Sequence, residues 1–317
     1  MLDRTDTDKL QTFTDDLWGA GGDVLIMPSG KAREHAADFD VRLGCSGVDL
    51  GSYHGGYFKN PATAALLSDI YLSHLQKKRI TPEEQVDPIR ILGMGSGAAL
   101  VEVILYRALK EAGYDIDLTM TDISENALSE YYPGYGIGED NPSVRKKVCD
   151  NKDLPFSDNT FDLVVARATV HYEKTMEARK QVLEKVKSVL IPGGLFLNQE
   201  HAIPSPEEAL LHDGQRALGG RVSQHITAAD VLESHEEVFG EDAVRLARLQ
   251  PPALMTGDED WAKKFKMNAQ KQQELIYFVR GAIETHASIG NIRFSDDGKH
   301  FTQGLPFQII QSQKTQA

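Results

Sequence analysis

From Pro88 onward, short strand-like segments alternate with longer amphipathic ones, and this alternation constrains the fold more than any other feature of the chain. Helices are predicted between the strands, for example at residues 99–113 and 175–190. Strands that are separated by helices pair in parallel, with helices covering both faces of the sheet. The pattern therefore predicts a doubly wound α/β domain. Its predicted strands lie at residues 89–92, 116–121, 144–149, 161–166 and 195–200.

The segments on either side of this alternation are less regular. Residues 1–87 are predicted to form an N-terminal helical lid, with a helix that Asn60 caps and Pro61 opens. The main domain is placed at residues 88–317. It is predicted to carry helical insertions around residues 203–300, before a last strand near the C-terminal end.

Charge and composition exclude several classes of protein. The 317 residues include 34 lysines and arginines against 47 aspartates and glutamates, which gives a net charge of −13. Such a field repels phosphate backbones, so nucleic acid is not an expected partner. No segment approaches the ~20 apolar residues of a membrane span, so no membrane partner is expected. Two cysteines are too few for a disulfide framework, and the acidic N-terminal residues do not resemble a secretory signal, so we expect a cytoplasmic protein.

A glycine-rich turn, GMGSG at residues 93–97, lies between the first predicted strand and the helix that follows it. Glycines at this place let the backbone approach a ligand closely. Asp122 ends the second predicted strand, where an acid can accept hydrogen bonds from two ribose hydroxyls. A charge that only complements a helix N-terminus is an equally good interpretation of Asp122. A nicotinamide site would show the spacing G-x-G-x-x-G, whereas G-x-G-x-G favours a nucleoside ligand without a pyrophosphate.

Five segments occur along the chain in an order typical of one enzyme family: SYHGGYF (52–58), ILGMGSG (91–97), TDIS (121–124), CDNKDLPFSDNTFDLVVA (149–166) and VLIPGGLFLNQE (189–200). Through them, residues 89–200 resemble the class I S-adenosylmethionine-dependent methyltransferases, in particular the small-molecule group that includes the ubiquinone, tocopherol and sugar methyltransferases. The resemblance implies a seven-stranded Rossmann-like sheet whose last strand is antiparallel, S-adenosylmethionine as the cofactor, and a small-molecule acceptor.

The resemblance assigns cofactor-binding roles to residues around the first two strands. Gly93, Gly95 and Gly97 would flank the methionine part of the cofactor. Asp122 would hold the ribose, and Ile123 would pack on the adenine.

Further cofactor-binding roles fall on residues outside those two strands. Asp150 would accept a hydrogen bond from the adenine amino group, with the Asn151 backbone nearby. Arg167 would lie beside the cofactor, and Tyr53 and Tyr57 would close over it from the lid.

The chain departs from the family at one position. Members usually carry an acid two residues before the first glycine, and this chain has Ile91 there. Because that acid helps to order the glycine turn and the cofactor's ammonium group, ammonium binding must be arranged differently in this chain.

Two histidines are candidate catalytic residues. His171 follows the fourth predicted strand, and His201 ends the fifth. Ligands of open α/β sheets bind at the carboxyl ends of the strands. An oxygen or nitrogen acceptor must lose a proton when it is methylated, and histidine is a suitable base for that proton. Both residues are also compatible with a role in shaping the pocket, and their spacing does not predict a metal site.

The predicted function is methyl transfer from S-adenosylmethionine to an oxygen, nitrogen or carbon of a small molecule. Two alternatives stay open. One is a cofactor-binding enzyme of the same fold that catalyses another group transfer or a rearrangement. The other is a non-catalytic binding subunit with this fold. A homodimer is compatible with each of them.

Overall fold

The fold is built around a seven-stranded sheet, as seen in a computed structural model of the chain. The structure describes residues 61–96, 99–123, 128, 141–173, 175–218, 225–250, 255–264, 267–290, 292–304 and 306–315. The helices in chain order are α1 (Pro61–Lys77), α2 (Leu100–Glu111), α3 (Met176–Val189), α4 (Pro206–Leu218), α5 (Ala228–Phe239), α6 (Asp258–Lys264) and α7 (Ala269–Thr285). The strands are β1 (Ile89–Met94), β2 (Ile116–Asp122), β3 (Val144–Val148), β4 (Phe161–Arg167), β5 (Leu190–His201), β6 (Val244–Gln250), β7 (Met255–Gly257), β8 (Ile292–Phe294), β9 (Phe301–Gly304) and β10 (Phe307–Gln313).

The strand order in the large sheet is β3-β2-β1-β4-β5-β10-β6. Strands β1 to β5 pair in parallel, and β10 runs antiparallel to both of its neighbours. The predicted doubly wound, seven-stranded Rossmann-like sheet is therefore confirmed. The order reverses between β1 and β4, and ligands of such sheets bind outside the carboxyl ends of the strands at this reversal.

Each face of the sheet packs against its own pair of helices. Ile91 of β1 and Leu163 of β4 are buried in one core with side chains of α1 and α2. Their chain neighbours Leu92 and Val164 are buried in a second core with side chains of α3 and α5. This alternation follows from the two-residue period of a strand that is covered on both faces. It fixes the register of the central strands, and with it the position of the turns that follow them.

Helix α1 begins at Pro61, as the sequence predicts, and packs against α2 in the first core. The rest of the predicted lid, including Tyr53 and Tyr57, lies outside the described residues. A lid at residues 1–87 and a boundary before residue 88 therefore stay predictions.

The segment between β5 and β10 contains strands as well as the predicted helices. Strands β7, β9 and β8 form a second, antiparallel sheet beside α6 and α7. Thr227 and Asp230 form a reciprocal capping box at the start of α5, which confirms the predicted pair. No helix in the part of the chain that the structure describes is long and apolar enough to cross a membrane.

Candidate functional site

The glycine turn after β1 is in close contact with the loop that follows β4. Gly95 has a φ of +60°, and a Cβ at this position would lie only 2.6 Å from the Thr169 methyl carbon. At Gly93, the side chain of Glu102 occupies the space that a Cβ would need. Only glycine fits these positions without a shift of the neighbouring side chains. Gly97, the third glycine of the turn, lies outside the described residues.

A second group of predicted residues lies at the carboxyl ends of β2 and β3. Asp122 ends β2, and the next residue, Ile123, has 73% of its surface exposed. Asp150 caps the short 3-10 helix Asn151–Asp153, where its carboxylate accepts a hydrogen bond from the Lys152 amide at 2.9 Å. The side-chain oxygen of Asn151 is buried and has no hydrogen-bond partner among the described residues.

These residues fit the cofactor that the resemblance implies. The hydroxyls of a ribose need an acceptor, and the Asp122 carboxylate lies at the end of the strand next to the glycine turn. An adenine ring offers a flat apolar face, which matches the exposed side chain of Ile123. The exocyclic amino group of adenine is a hydrogen-bond donor, and the buried side-chain oxygen of Asn151 is an acceptor for which the described residues supply no donor.

A buried carboxyl group lies against the glycine turn, and an arginine at the end of β4 acts on it electrostatically. Glu102, in the first turn of α2, is 3% exposed, and burial raises the pKa of its carboxyl to about 7. The neighbouring Asp122 adds to this rise, whereas the Ser96 hydroxyl and Arg167 oppose it. Arg167 ends β4, and burial lowers the pKa of its guanidinium to about 9. The turn is thus placed above a carboxyl group that ionises near neutral pH.

The raised pKa of Glu102 predicts a measurable loss of stability with rising pH. The Glu102 carboxyl has a pKa near 4.5 in the unfolded chain and near 7 in the native protein. Between pH 4.5 and pH 7, the native state therefore binds more protons than the unfolded state. We therefore expect its contribution to the free energy of unfolding to fall by about 3 kcal/mol from pH 4.5 to above pH 7. Glu102→Gln abolishes this contribution, and urea unfolding of both proteins at about pH 5 and pH 8 measures it. Equal pH dependence of the two proteins would contradict the assignment.

A histidine and a glutamate form a buried pair where β4 and β5 end. His171 lies in the 3-10 helix Val170–Tyr172, and its Nδ1 is 2.8 Å from Oε2 of Glu200. The other carboxylate oxygen of Glu200 accepts hydrogen bonds from the amides of Thr169 and Val170, at 3.0 and 2.7 Å. Glu200 is fully buried, so three short contacts fix its position. We call these two residues the His171–Glu200 dyad.

His201 lies next to this dyad but in a different environment. Its ring meets the ring of His171 edge-on, with the centroids 5.4 Å apart, and stacks on Phe307 at 5.0 Å. Burial and the neighbouring His171 lower the pKa of His201 well below its usual value. The structure therefore brings the two predicted histidines together, but His201 is held as a neutral ring by its packing.

The segment that follows His201 contains a group of buried polar side chains on α4 and β9. Gln215 donates to the side chain of Gln303 in β9 at 2.8 Å, and Gln303 is 3.3 Å from the ring of His212. All three side chains are buried. The sequence did not identify these residues, because an isolated polar residue on an amphipathic helix or in a four-residue strand gives no signal of its own. Among the described residues, no group of three His, Cys, Asp or Glu side chains is arranged to hold a metal ion.

Comparison with known proteins finds similarity to methyltransferases over the strands that carry this site. A family model described as a methyltransferase domain matches residues 92–198. The uncharacterized methyltransferase YcgJ of Bacillus subtilis is 24% identical over 71% of this chain and 84% of its own length. The crystal structure of YcgJ has a TM-score of 0.56, covers 77% of this chain and 100% of that chain, and is 18% identical. This likeness confirms the fold.

Other relatives are named for different reactions or substrates. A polyamine aminopropyltransferase of Aeropyrum pernix is 29% identical over 48% of this chain, and the match spans about half of that enzyme, 49% of its length. A probable tRNA methyltransferase 9B of Homo sapiens is 35% identical over 18% of this chain and 13% of its own length. Because a tRNA methyltransferase is among the relatives, the comparisons do not support the exclusion of nucleic acid that the net charge suggested.

Proposed function

We propose that the protein transfers a methyl group from S-adenosylmethionine to a small-molecule acceptor, and the match of residues 92–198 to a methyltransferase domain supports this proposal. The observation that carries the proposal is the His171–Glu200 dyad at the carboxyl edge of the sheet. It lies beside the glycine turn, because Thr169, two residues before His171, is in contact with Gly95.

We assign the binding of the cofactor to residues at the carboxyl ends of β1 to β4. Asp122 accepts hydrogen bonds from the ribose, and Ile123 packs on the adenine. Asp150 accepts a hydrogen bond from the adenine amino group, with the Asn151 backbone nearby. Arg167, at the end of β4, lies beside the cofactor. When bound, S-adenosylmethionine supplies a methyl carbon on a positively charged sulfur, from which a nucleophile displaces a neutral thioether.

The dyad supplies the base that an oxygen or nitrogen acceptor needs. A hydrogen bond from Nδ1 of His171 to Glu200 fixes the tautomer in which Nε2 is the basic ring nitrogen. Nε2 of His171 would take the proton that an oxygen or nitrogen acceptor loses, and the buried carboxylate of Glu200 would stabilise the imidazolium that forms. The neutral ring of His201 packs against His171 and excludes water from this side of the pair.

The acidity of the chain favours a small acceptor over RNA. A net charge of −13 opposes the approach of a phosphate backbone. The match to the tRNA methyltransferase covers only 18% of this chain. Buried polar side chains in the segment between β5 and β10, among them Gln215 and Gln303, support a polar small molecule as the acceptor.

A second candidate function is the transfer of another group on the same scaffold. The similarity to an enzyme that is named for aminopropyl transfer favours this candidate. Mass spectrometry of the products distinguishes the two functions, because methyl transfer leaves S-adenosylhomocysteine, whereas transfer of another group leaves a different thioether.

Asp122→Ala tests the cofactor site. Paired hydrogen bonds between a carboxylate and a ribose are charge-assisted, so we expect the variant to bind S-adenosylhomocysteine at least about tenfold more weakly. Titration calorimetry measures the dissociation constant. The matched control is Asp117→Ala, in the same strand, where Asp117 pairs with Arg145 at 3.2 Å, away from the carboxyl end. An unchanged dissociation constant in Asp122→Ala, or the same loss in both variants, would contradict the site.

A further inference from the structure

The position where related domains carry an acid is filled by an apolar core residue in this chain. Ile91 is fully buried in β1 and packs in the core that α1 and α2 form with the sheet. Its side chain points into that core and offers no group to a cation. If the turn is to have a carboxylate beside it, that carboxylate must come from another element.

Glu102 brings a carboxylate to the turn from the helix that follows. Its side chain lies against the Cα of Gly93, where a Cβ would collide with its Cγ and Oε1. The Ser96 hydroxyl lies on the same side, since it too would contact a Cβ at Gly93, at 2.7 Å. The Glu102 carboxylate, which belongs to α2, is therefore next to both Gly93 and Ser96 of the turn.

A buried carboxyl group at this place carries a cost for stability. Glu102 is 3% exposed, and burial is the largest cause of its raised pKa. Arg167 favours the ionised form of the Glu102 carboxyl but does not cancel the effect of burial. A second positive charge close to this carboxyl would stabilise its ionised form, which burial disfavours.

We propose that Glu102 supplies the carboxylate that binds the ammonium group of the cofactor's methionine part, in place of the acid that is absent at Ile91. This inference rests on the proposed function. It assigns the role to α2 instead of β1, and to a residue that no sequence motif marks.

The competing role for Glu102 is a local one. Helix α2 starts after Ala99, which has no side-chain cap, and an acid in the first turn favours the free amides of a helix N-terminus. A capping residue would affect the stability of the protein and all ligands of the turn alike. A residue that binds the ammonium would affect only ligands that carry this group.

Two ligands separate these roles. S-adenosylhomocysteine carries the amino-acid part with its ammonium group, whereas methylthioadenosine shares the adenosine and the thioether and lacks that part. We expect Glu102→Gln to weaken S-adenosylhomocysteine by about tenfold or more and to leave the dissociation constant of methylthioadenosine nearly unchanged. Glu102→Asp, which keeps the charge on a shorter side chain, is expected to lie between Glu102→Gln and the parent protein.

The matched control is Glu111→Gln, at the exposed C-terminal end of the same helix, which should bind both ligands as the parent does. Titration calorimetry gives the dissociation constants, and thermal unfolding shows that each variant is folded. Equal losses for both ligands, or no loss for either, would overturn the role of Glu102. If the parent protein bound neither ligand, the proposed function itself would fail, and the two failures are thus distinguishable.

Discussion

His171→Ala is expected to lower the turnover number by about 10²- to 10⁴-fold, which is the usual contribution of a positioned base. The dissociation constant of S-adenosylhomocysteine should stay nearly unchanged, because His171 lies beyond Thr169 and the glycine turn instead of at the ribose or adenine edge. Steady-state kinetics and titration calorimetry on the same preparation measure the two quantities.

The control for this variant is His286→Ala, which removes an exposed histidine after α7 and should change neither quantity. Turnover within a few-fold of the parent for His171→Ala would assign His171 to the shape of the pocket. His201→Ala is then the next variant to measure. If neither substitution lowers turnover, the acceptor needs no protein base, as for a neutral amine or a carbon nucleophile.

Glu200→Gln is expected to lower turnover by about 10²-fold or more while the protein keeps its fold, because the carboxylate fixes the tautomer of a catalytic histidine. A glutamine oxygen can still accept hydrogen bonds from the amides of Thr169 and Val170. Its amide nitrogen then faces Nδ1 of His171 and donates to it, which places the ring proton on Nε2. The nitrogen that should take the acceptor's proton is thereby blocked.

The binding of S-adenosylhomocysteine distinguishes positioning by Glu200 from a purely structural role. A positioning residue leaves its dissociation constant near that of the parent while turnover falls, whereas a structural change at the carboxyl edge weakens binding as well. Glu177→Gln, in the exposed first turn of α3, is the control and should leave turnover and the dissociation constant unchanged. A Glu200→Gln protein with the parent's turnover would show that the dyad does not act in the reaction.

The large sheet was predictable from the sequence, and the small one was not. Strands β2 and β4 alternate with amphipathic helices, and their observed bounds differ by one residue from the predicted ones. Strands β7 and β8 have three residues each, too short for any period to appear. Strand β5 begins at Leu190, five residues before its predicted start. Its pairing with β4 passes from Leu190 to Leu195 at an irregularity that contains the Pro192–Gly194 turn sequence.

The site was predictable to the extent that topology determines it. His171 and His201 follow adjacent parallel strands, so their proximity follows from the strand order. The hydrogen bond between His171 and Glu200 depends on side-chain conformation, which the spacing in the sequence does not specify. Glu102 was missed for a similar reason. The sequence shows an acid among apolar residues in α2, but its contact with Gly93 exists only once the helix has packed on the sheet.

Incubation of the protein with S-adenosylmethionine that carries a labelled methyl group is the decisive test of methyl transfer to a small molecule. The acceptors offered are a panel of small alcohols, phenols, amines and carbon acids, and unmodified tRNA is offered separately. We expect equal amounts of S-adenosylhomocysteine and one labelled small molecule by mass spectrometry, with both products reduced in parallel by His171→Ala. Label in tRNA alone, or a thioether product other than S-adenosylhomocysteine, would contradict methyl transfer to a small molecule.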